Sequence, residues 1–165
     1  LMYEYTTLDN LFRAGAAVPR PVASSENALL MGYIGDDQLP APVLQSVDLG
    51  RDEAEALFAE VMRNVELMLN QHLIHGDLSA FNILYWDGAV TLIDFPQVVD
   101  SVENPHALKI FQRDITRVCE YFVDQGVRCD AREITGRLWD RYAAAEPLDA
   151  MADWSRWAEE EEGSE

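Results

Sequence analysis

Apolar side chains recur along this chain in stretches of three-to-four spacing, separated by short apolar runs that end in turn residues. From Met2 to Ala14, Tyr3, Leu8, Leu11 and Phe12 fall near one face of a predicted helix, with Gly15 as its stop. Pro19 and Pro21 then mark a turn. Val22-Ala23, a polar break at Ser24-Ser25-Glu26-Asn27, and the run Ala28 to Ile34 predict two short strands joined as a hairpin, the second short enough to be buried. Gly35 to Pro42 is a polar, proline-broken connector that reads as a hinge between this front part and the rest. From Asp52 to Asn70 the positions Ala54, Leu57, Phe58, Val61, Val65 and Met68 predict a strongly amphipathic helix. Ile83-Leu84-Tyr85 and Val90 to Ile93 flank Asp87-Gly88, a strong signal for a second hairpin. Leu108, Phe111, Ile115, Val118, Tyr121 and Phe122 predict a helix over 104–124, and Asp130 is placed to cap another that carries Leu138, Trp139 and Tyr142. The end of the chain reads as a helix with an acidic tail at Glu159 to Glu162.

Composition adds a class to this outline. With 165 residues, 48% hydrophobic and 25% charged, the chain reads as one globular domain. It contains no run of 18 apolar residues, and its start, LMYEYTTLDN, lacks a basic segment followed by an apolar one. Neither a membrane span nor a signal peptide is therefore expected, and the expected location is cytoplasmic. Cys119 and Cys129 lie ten apart without CxxC spacing and read as reduced thiols, while His72, His75 and His106 form no ligand cluster. Thirty acidic residues against twelve basic ones give a formal net charge of -18. Such a surface repels nucleic acid. Lys109 is the only lysine, a composition that fits either a protein tuned to concentrated salt or a GC-rich genome.

Candidate chemistry lies between the second and third amphipathic helices, in HLIHGDLSAFNIL (72–84) and IDFPQ (93–97). Phosphoryl transfer from a nucleotide needs magnesium held against the phosphates and a carboxylate that positions or deprotonates the acceptor. A loop with Asp77 at its start and Asn82 at its end turns one side chain to the acceptor and the other, an amide oxygen, to the ion. The hairpin then returns Asp94 to the same mouth as a second hard oxygen. Asp77, Asn82 and Asp94 follow the protein-kinase order of catalytic aspartate, metal asparagine and metal aspartate after a hairpin. The pattern H-x-D-x-x-x-x-N is weak alone and becomes specific when joined to ILYWDGAVTLID.

These words resemble the RIO kinases, atypical protein kinases and ATPases associated with ribosome maturation, in which Pro-Gln follows the aromatic residue where ordinary kinases carry glycine. The likeness continues in RAGAAVPRPVA, LLMGYIGDDQLPAPVL and NPHALKIFQRDITRVCEYFVDQGV, and so spans about residues 3 to 127. It implies an α+β, protein-kinase-like fold: residues 1–35 as a remnant of the front lobe, 36–150 as the mostly helical lobe with short β-hairpins, and 151–165 as a terminal helix and tail. It implies ATP and Mg2+ as cofactors, with Asp77 catalytic and Asn82 and Asp94 as metal ligands. Asp94 would also accept phosphate in an ATPase cycle, and Met31, Tyr33 and Ile34 would meet the nucleotide at the hinge. A protein substrate or pre-ribosomal particle is the implied partner, without direct nucleic-acid binding and without a membrane.

Other residues of the motif read structurally. Ser79 resembles the family's loop serine, for which a loop-stabilising hydrogen bond is the favoured role. His75 reads as a packed residue with a backbone hydrogen bond, and Arg113-Asp114, a family RD pair, as a buried structural pair. Glu4 fits either the glutamate that pairs with the phosphate-binding lysine or a solvent-facing helix charge. Trp139, Trp154 and Trp157 read as helix packing.

No GxGxxG precedes Glu4 and no lysine lies near it, so the chain reads as a kinase lacking most of its front lobe, either a fragment, which is the favoured reading, or a natural short form, with very weak activity alone. Two rival readings remain. An aminoglycoside or small-molecule phosphotransferase shares HGDLxxxN but continues with glycine where this chain has Pro96; a pseudokinase-type scaffold would dock a partner without responding to nucleotide.

Overall fold

The computed structural model describes residues 2–145; the expected terminal helix, Trp154, Trp157 and the acidic run lie outside the described residues. Helix α1 (Met2–Arg13) forms where the spacing predicts it, but buries Thr7, Leu8 and Leu11. Tyr3 and Phe12, expected on the same face, are 63% and 40% exposed. The inward stripe runs through positions 4, 8 and 11, one helical step away from both aromatics.

Strand β1 (Pro21–Ser24) pairs antiparallel with β2 (Leu29–Met31) in the predicted hairpin, with a bulge between Pro21 and Ala23. Its second strand is not buried: Leu30 is 60% exposed, and only Leu29 of this strand packs against the core. A two-stranded ribbon buries one face at most. The following connector is a closed loop and not an open linker. Asp36 Oδ1 accepts the N–H groups of Gln38 and Leu39, both at 2.8 Å, and Ala41 N–H donates to Ile34 at 2.9 Å. The two backbone donors hold the Asp36 carboxyl below its ordinary range.

Helices α2 (Arg51–Asn70), α3 (Ala107–Asp124) and α4 (Ala131–Ala145) enclose most of the core. Leu57, Val61, Val65 and Met68 of α2 are buried, as are Phe111, Ile115, Val118 and Phe122 of α3. Phe58 meets Phe122 edge-on at 5.2 Å, and Trp139 lies between Phe111 and Tyr142 at 5.8 and 5.6 Å. Asp130 caps α4 as expected, its Oδ1 accepting from Arg132 and Glu133 N–H at 2.9 and 3.0 Å. One α2 position departs from the apolar stripe. Asn64 is fully buried, accepting from Ala17 N–H at 2.6 Å and donating to the Glu60 carbonyl at 2.8 Å, and so ties the chain after α1 to the helix.

The predicted hairpin of β4 (Ile83–Trp86) and β5 (Ala89–Leu92) pairs Ile83 with Leu92 and Trp86 with Ala89. Asp87 and Gly88 both take positive φ, 48° and 76°, the two-residue turn that matches strand twist. Val43 bridges to Leu84 and Leu92 N–H donates to Ala17 at 2.8 Å, so the hairpin is wedged between the front segment and the connector. A further pair, β3 (Leu73–Ile74) with β6 (Val99–Asp100), was not predicted. The described residues form an α+β domain of four helices and three two-stranded antiparallel sheets. No described helix is long and apolar enough to cross a membrane. Cys119 and Cys129 are free thiols, the latter donating to the Cys119 carbonyl at 3.7 Å.

Candidate functional site

The loop from β3 to β4 is held from beneath by α3. Asp114, buried at 2% exposure, accepts from Gly76 N–H through Oδ2 at 2.7 Å and from Leu78 N–H through Oδ1 at 3.2 Å. The Arg113 guanidinium donates to the Gly76 carbonyl. Asp77, lying between the two clamped N–H groups, therefore has a fixed backbone. Gly76 itself takes φ +86°, and a Cβ there would stand 2.1 Å from the Gln97 carbonyl oxygen. Only glycine lets the aspartate loop pass the Phe95-Pro96-Gln97 segment this closely. Arg113 is exposed while Asp114 is buried, so the expected buried pair is instead one buried carboxylate and one surface arginine gripping the same loop.

His75 and Ser79 complete the frame in the structural roles expected of them. His75 Nδ1 accepts from Asp77 N–H at 3.3 Å, which leaves the proton on Nε2, 2.9 Å from the Ile93 carbonyl oxygen. Burial pushes its pKa below the ordinary 6.5, so the ring is neutral, and it packs on Phe95 at 5.0 Å. Ser79 Oγ accepts from Phe81 N–H at 3.2 Å and starts a single 3-10 turn over Ala80–Asn82. That turn aims Asn82 back at Asp77: its Nδ2 donates to the Asp77 carbonyl at 2.8 Å and approaches Oδ2 at 3.4 Å. Arg117, one helical turn beyond Asp114, reaches Asp77 Oδ1 through Nη1 at 2.8 Å.

Asn82 also accepts from Ile93 N–H through its backbone carbonyl at 3.0 Å, so the residue before Asp94 is directly opposite Asn82. Asp94 follows in the left-handed region at φ +68°, with an exposed side chain. A non-glycine residue rarely adopts this conformation, and here it turns the chain sharply out of β5.

The expected site residues divide between two cavities, and the Asn82–Ile93 hydrogen bond ties a wall residue of one to a wall residue of the other. The first, about 580 Å³, has Met31, Tyr33 and Ile34 on one wall and Asp94 and Phe95 on the other, with Leu29, Ala41 and Leu84 between them. Glu4, half-buried on α1, lines it as well. The second cavity, also about 580 Å³, holds Asp77, Asn82 and Arg117, with Ser79, Glu120 and Asp124 around them. An apolar cleft with a few polar groups suits a flat ring system, and the polar cavity beside it suits a second reactant.

The donor set fits a hard divalent cation. Asn82 has its amide nitrogen committed to Asp77, which leaves Oδ1 as an oxygen donor, and Asp94 offers an exposed carboxylate. No group of three His, Cys, Asp or Glu residues able to enclose an ion occurs among the described residues. Two protein oxygens suffice for magnesium, which keeps waters and takes its remaining ligands from phosphates.

Two contributions escaped the sequence reading. Arg117 belongs to no motif, and in the sequence Asp114 reads only as half of a structural pair. Their spacing of three on an amphipathic helix puts both on one face, but nothing in the chain says which loop that face meets.

A sequence model of the RIO domain (RIO1) matches residues 2–134. The chain is 34% identical over 146 residues to human serine/threonine-protein kinase RIO1, covering 86% of this chain and 26% of the human protein. It is 34% identical over 131 residues to the RIO-type serine/threonine-protein kinase Rio1 of Thermoplasma acidophilum, covering 79% and 67%. Against the protein of that name from Haloferax volcanii it is 35% identical over 128 residues, covering 77% and 43%. The chain thus spans about a quarter of the human relative's length and two thirds of the Thermoplasma one's.

Proposed function

The chain belongs to the RIO family, and from that premise we propose that it binds Mg-ATP and transfers the γ-phosphoryl group to a protein hydroxyl or to Asp94, whose acyl phosphate water then hydrolyses. The reading is supported above all by one observation: the hydrogen bond between Asn82 and Ile93, which ties a wall residue of the cavity of Asp77 and Asn82 to a wall residue of the cavity of Met31, Tyr33, Ile34 and Asp94. In this reading residues 1–35 are the end of a kinase front lobe and 36–150 the helical lobe, while 151–165 lie outside the described residues.

Met31, Tyr33 and Ile34 receive the base, and Leu29, Ala41 and Leu84 exclude water from it. Asn82 Oδ1 and Asp94 hold the magnesium ion, which when bound neutralises phosphate charge. Asp77 accepts the hydrogen bond of the acceptor hydroxyl and orients its oxygen at the γ-phosphorus. The new oxygen–phosphorus bond forms as the bond to the bridging oxygen breaks, ADP leaves, and the hydroxyl proton passes to Asp77. In the alternative branch an Asp94 carboxylate oxygen is the nucleophile. The partner is a protein, which includes a pre-ribosomal particle approached through its proteins, because a net charge of -18 opposes direct contact with RNA. The setting is cytoplasmic.

Lys109, the one lysine, lies on α3 and does not line the nucleotide cavity. Among the described residues no lysine or arginine lines that cavity. Loss of one such group removes several kcal/mol of transition-state stabilisation. Turnover is accordingly expected far below the ~1–100 per second of typical kinases. This absence also favours a second reading, a scaffold that docks a partner and ignores nucleotide. The two separate in a melting experiment. Mg-ATP at millimolar concentration raises the melting temperature by mass action if the site binds it, and Asp94→Asn reduces the shift. No shift at any nucleotide concentration would support the scaffold.

A further inference from the structure

Arg117 has no part in the function proposed above, yet it forms a side-chain ion pair with Asp77. Its Nη1 stands 2.8 Å from Asp77 Oδ1, with the two side chains 41% and 48% exposed. The opposite carboxylate oxygen, Oδ2, faces Asn82 Nδ2 at 3.4 Å. Both oxygens of Asp77 are thus engaged, one from α3 and one from the end of its own loop. The same helix fixes the loop's backbone through Asp114, three residues earlier, and through Arg113. One rigid element sets both where the aspartate sits and how its carboxylate is turned.

Arg117 also belongs to the polar cavity, beside Glu120 and Asp124, and not to the cavity of Met31, Tyr33 and Ile34. Whatever enters beside Asp77 meets this guanidinium, whereas a base held by the front cavity does not. A half-exposed ion pair contributes little to stability, so its consequence is orientation.

We propose that Arg117 is a positioning residue for phosphoryl transfer, holding the Asp77 carboxylate in the rotamer that meets the acceptor hydroxyl. The inference rests on Asp77 being the acceptor-facing aspartate. A carboxylate free to rotate spends less time in the productive geometry, and misplacement of about 1 Å can reduce a rate by about 100-fold. Arg117→Gln should therefore lower kcat by about 10- to 100-fold while leaving KM for ATP unchanged. Arg117→Lys, which keeps the charge but loses the planar fork, should recover part of the loss.

The test is a double-mutant cycle on this chain, with Mg and γ-labelled ATP, reading label transferred to protein and phosphate released to water. The unsubstituted chain, Asp77→Asn, Arg117→Gln and the double variant are compared, together with Arg117→Lys. If Arg117 acts through Asp77, Arg117→Gln changes the rate of the Asp77→Asn chain by less than about 3-fold. An equal loss in both backgrounds, a raised KM for ATP, or a gain of activity in Arg117→Gln overturns the positioning role while the Asp77 reading stands. Full activity in Asp77→Asn, or no turnover at all in the unsubstituted chain, overturns the Asp77 reading and this inference with it. Melting curves of the variants keep a folding defect separate from a kinetic one.

Discussion

Asp114 carries the heaviest electrostatic load of any single residue in the site. Burial pushes its carboxyl up to about 6 from an ordinary 3.8, against the opposing pull of the Gly76 and Leu78 N–H groups. Because its folded pKa lies above the unfolded one, the folded chain binds more protons between those values. Its contribution to stability is then fullest below about pH 4 and declines as pH rises to about 6, by up to about 3 kcal/mol. His75 has the opposite sign: its folded pKa is depressed, so stability falls as pH drops below 6.5. Comparing Asp114→Asn with the unsubstituted chain cancels the histidine. The substitution places an NH2 where an N–H needs an acceptor, at about 1–3 kcal/mol. Denaturant melts from pH 4 to 7 should show the unsubstituted chain's advantage shrinking as pH rises, whereas an advantage independent of pH would contradict the buried-carboxylate account. At this scale the sequence was informative about Asp77, Asn82 and His75, whose order is itself the signal. It said nothing of Arg117 reaching Asp77 across forty positions, because that contact depends on how α3 docks.

Elements were legible where local chemistry decides them. Asp87-Gly88 specifies its turn through two positive φ angles, and Asp130 announces α4 by offering its side chain to two free N–H groups. Asp130→Ala should lower the stability of the chain by about 1 kcal/mol, read as a lower denaturation midpoint with an unchanged slope. An unchanged midpoint would mean that packing alone sets the start of α4. The pairing of β3 with β6 could not be read, since each strand is two residues long and carries no periodicity. Nor could the exact inward face of α1, where Tyr3 and Phe12 are as apolar as the leucines that won. The exposed Leu30 shows the same limit: an apolar run predicts a strand but not what covers it.

For the whole molecule, charge dominates. Thirty carboxylates against twelve basic groups leave self-repulsion that contact pairs such as Arg63–Glu60 and Arg141–Glu66 offset only locally. Screening at molar salt shortens the range of that repulsion to about 3 Å. The melting temperature should therefore rise steadily from 0.05 to 2 M KCl, and a flat or falling curve would remove the link between composition and salt. The proposed phosphoryl transfer is supported by family membership and by the hydrogen bond that ties the walls of the two cavities. The most direct measurement is incubation with magnesium and γ-labelled ATP at low and molar salt, followed by hydroxylamine treatment of the isolated protein. Acyl-phosphate formation at Asp94 gives a small, hydroxylamine-labile label that is absent in Asp94→Asn. Label that resists hydroxylamine and survives Asp94→Asn and Asp77→Asn, or no label in either salt, would contradict it.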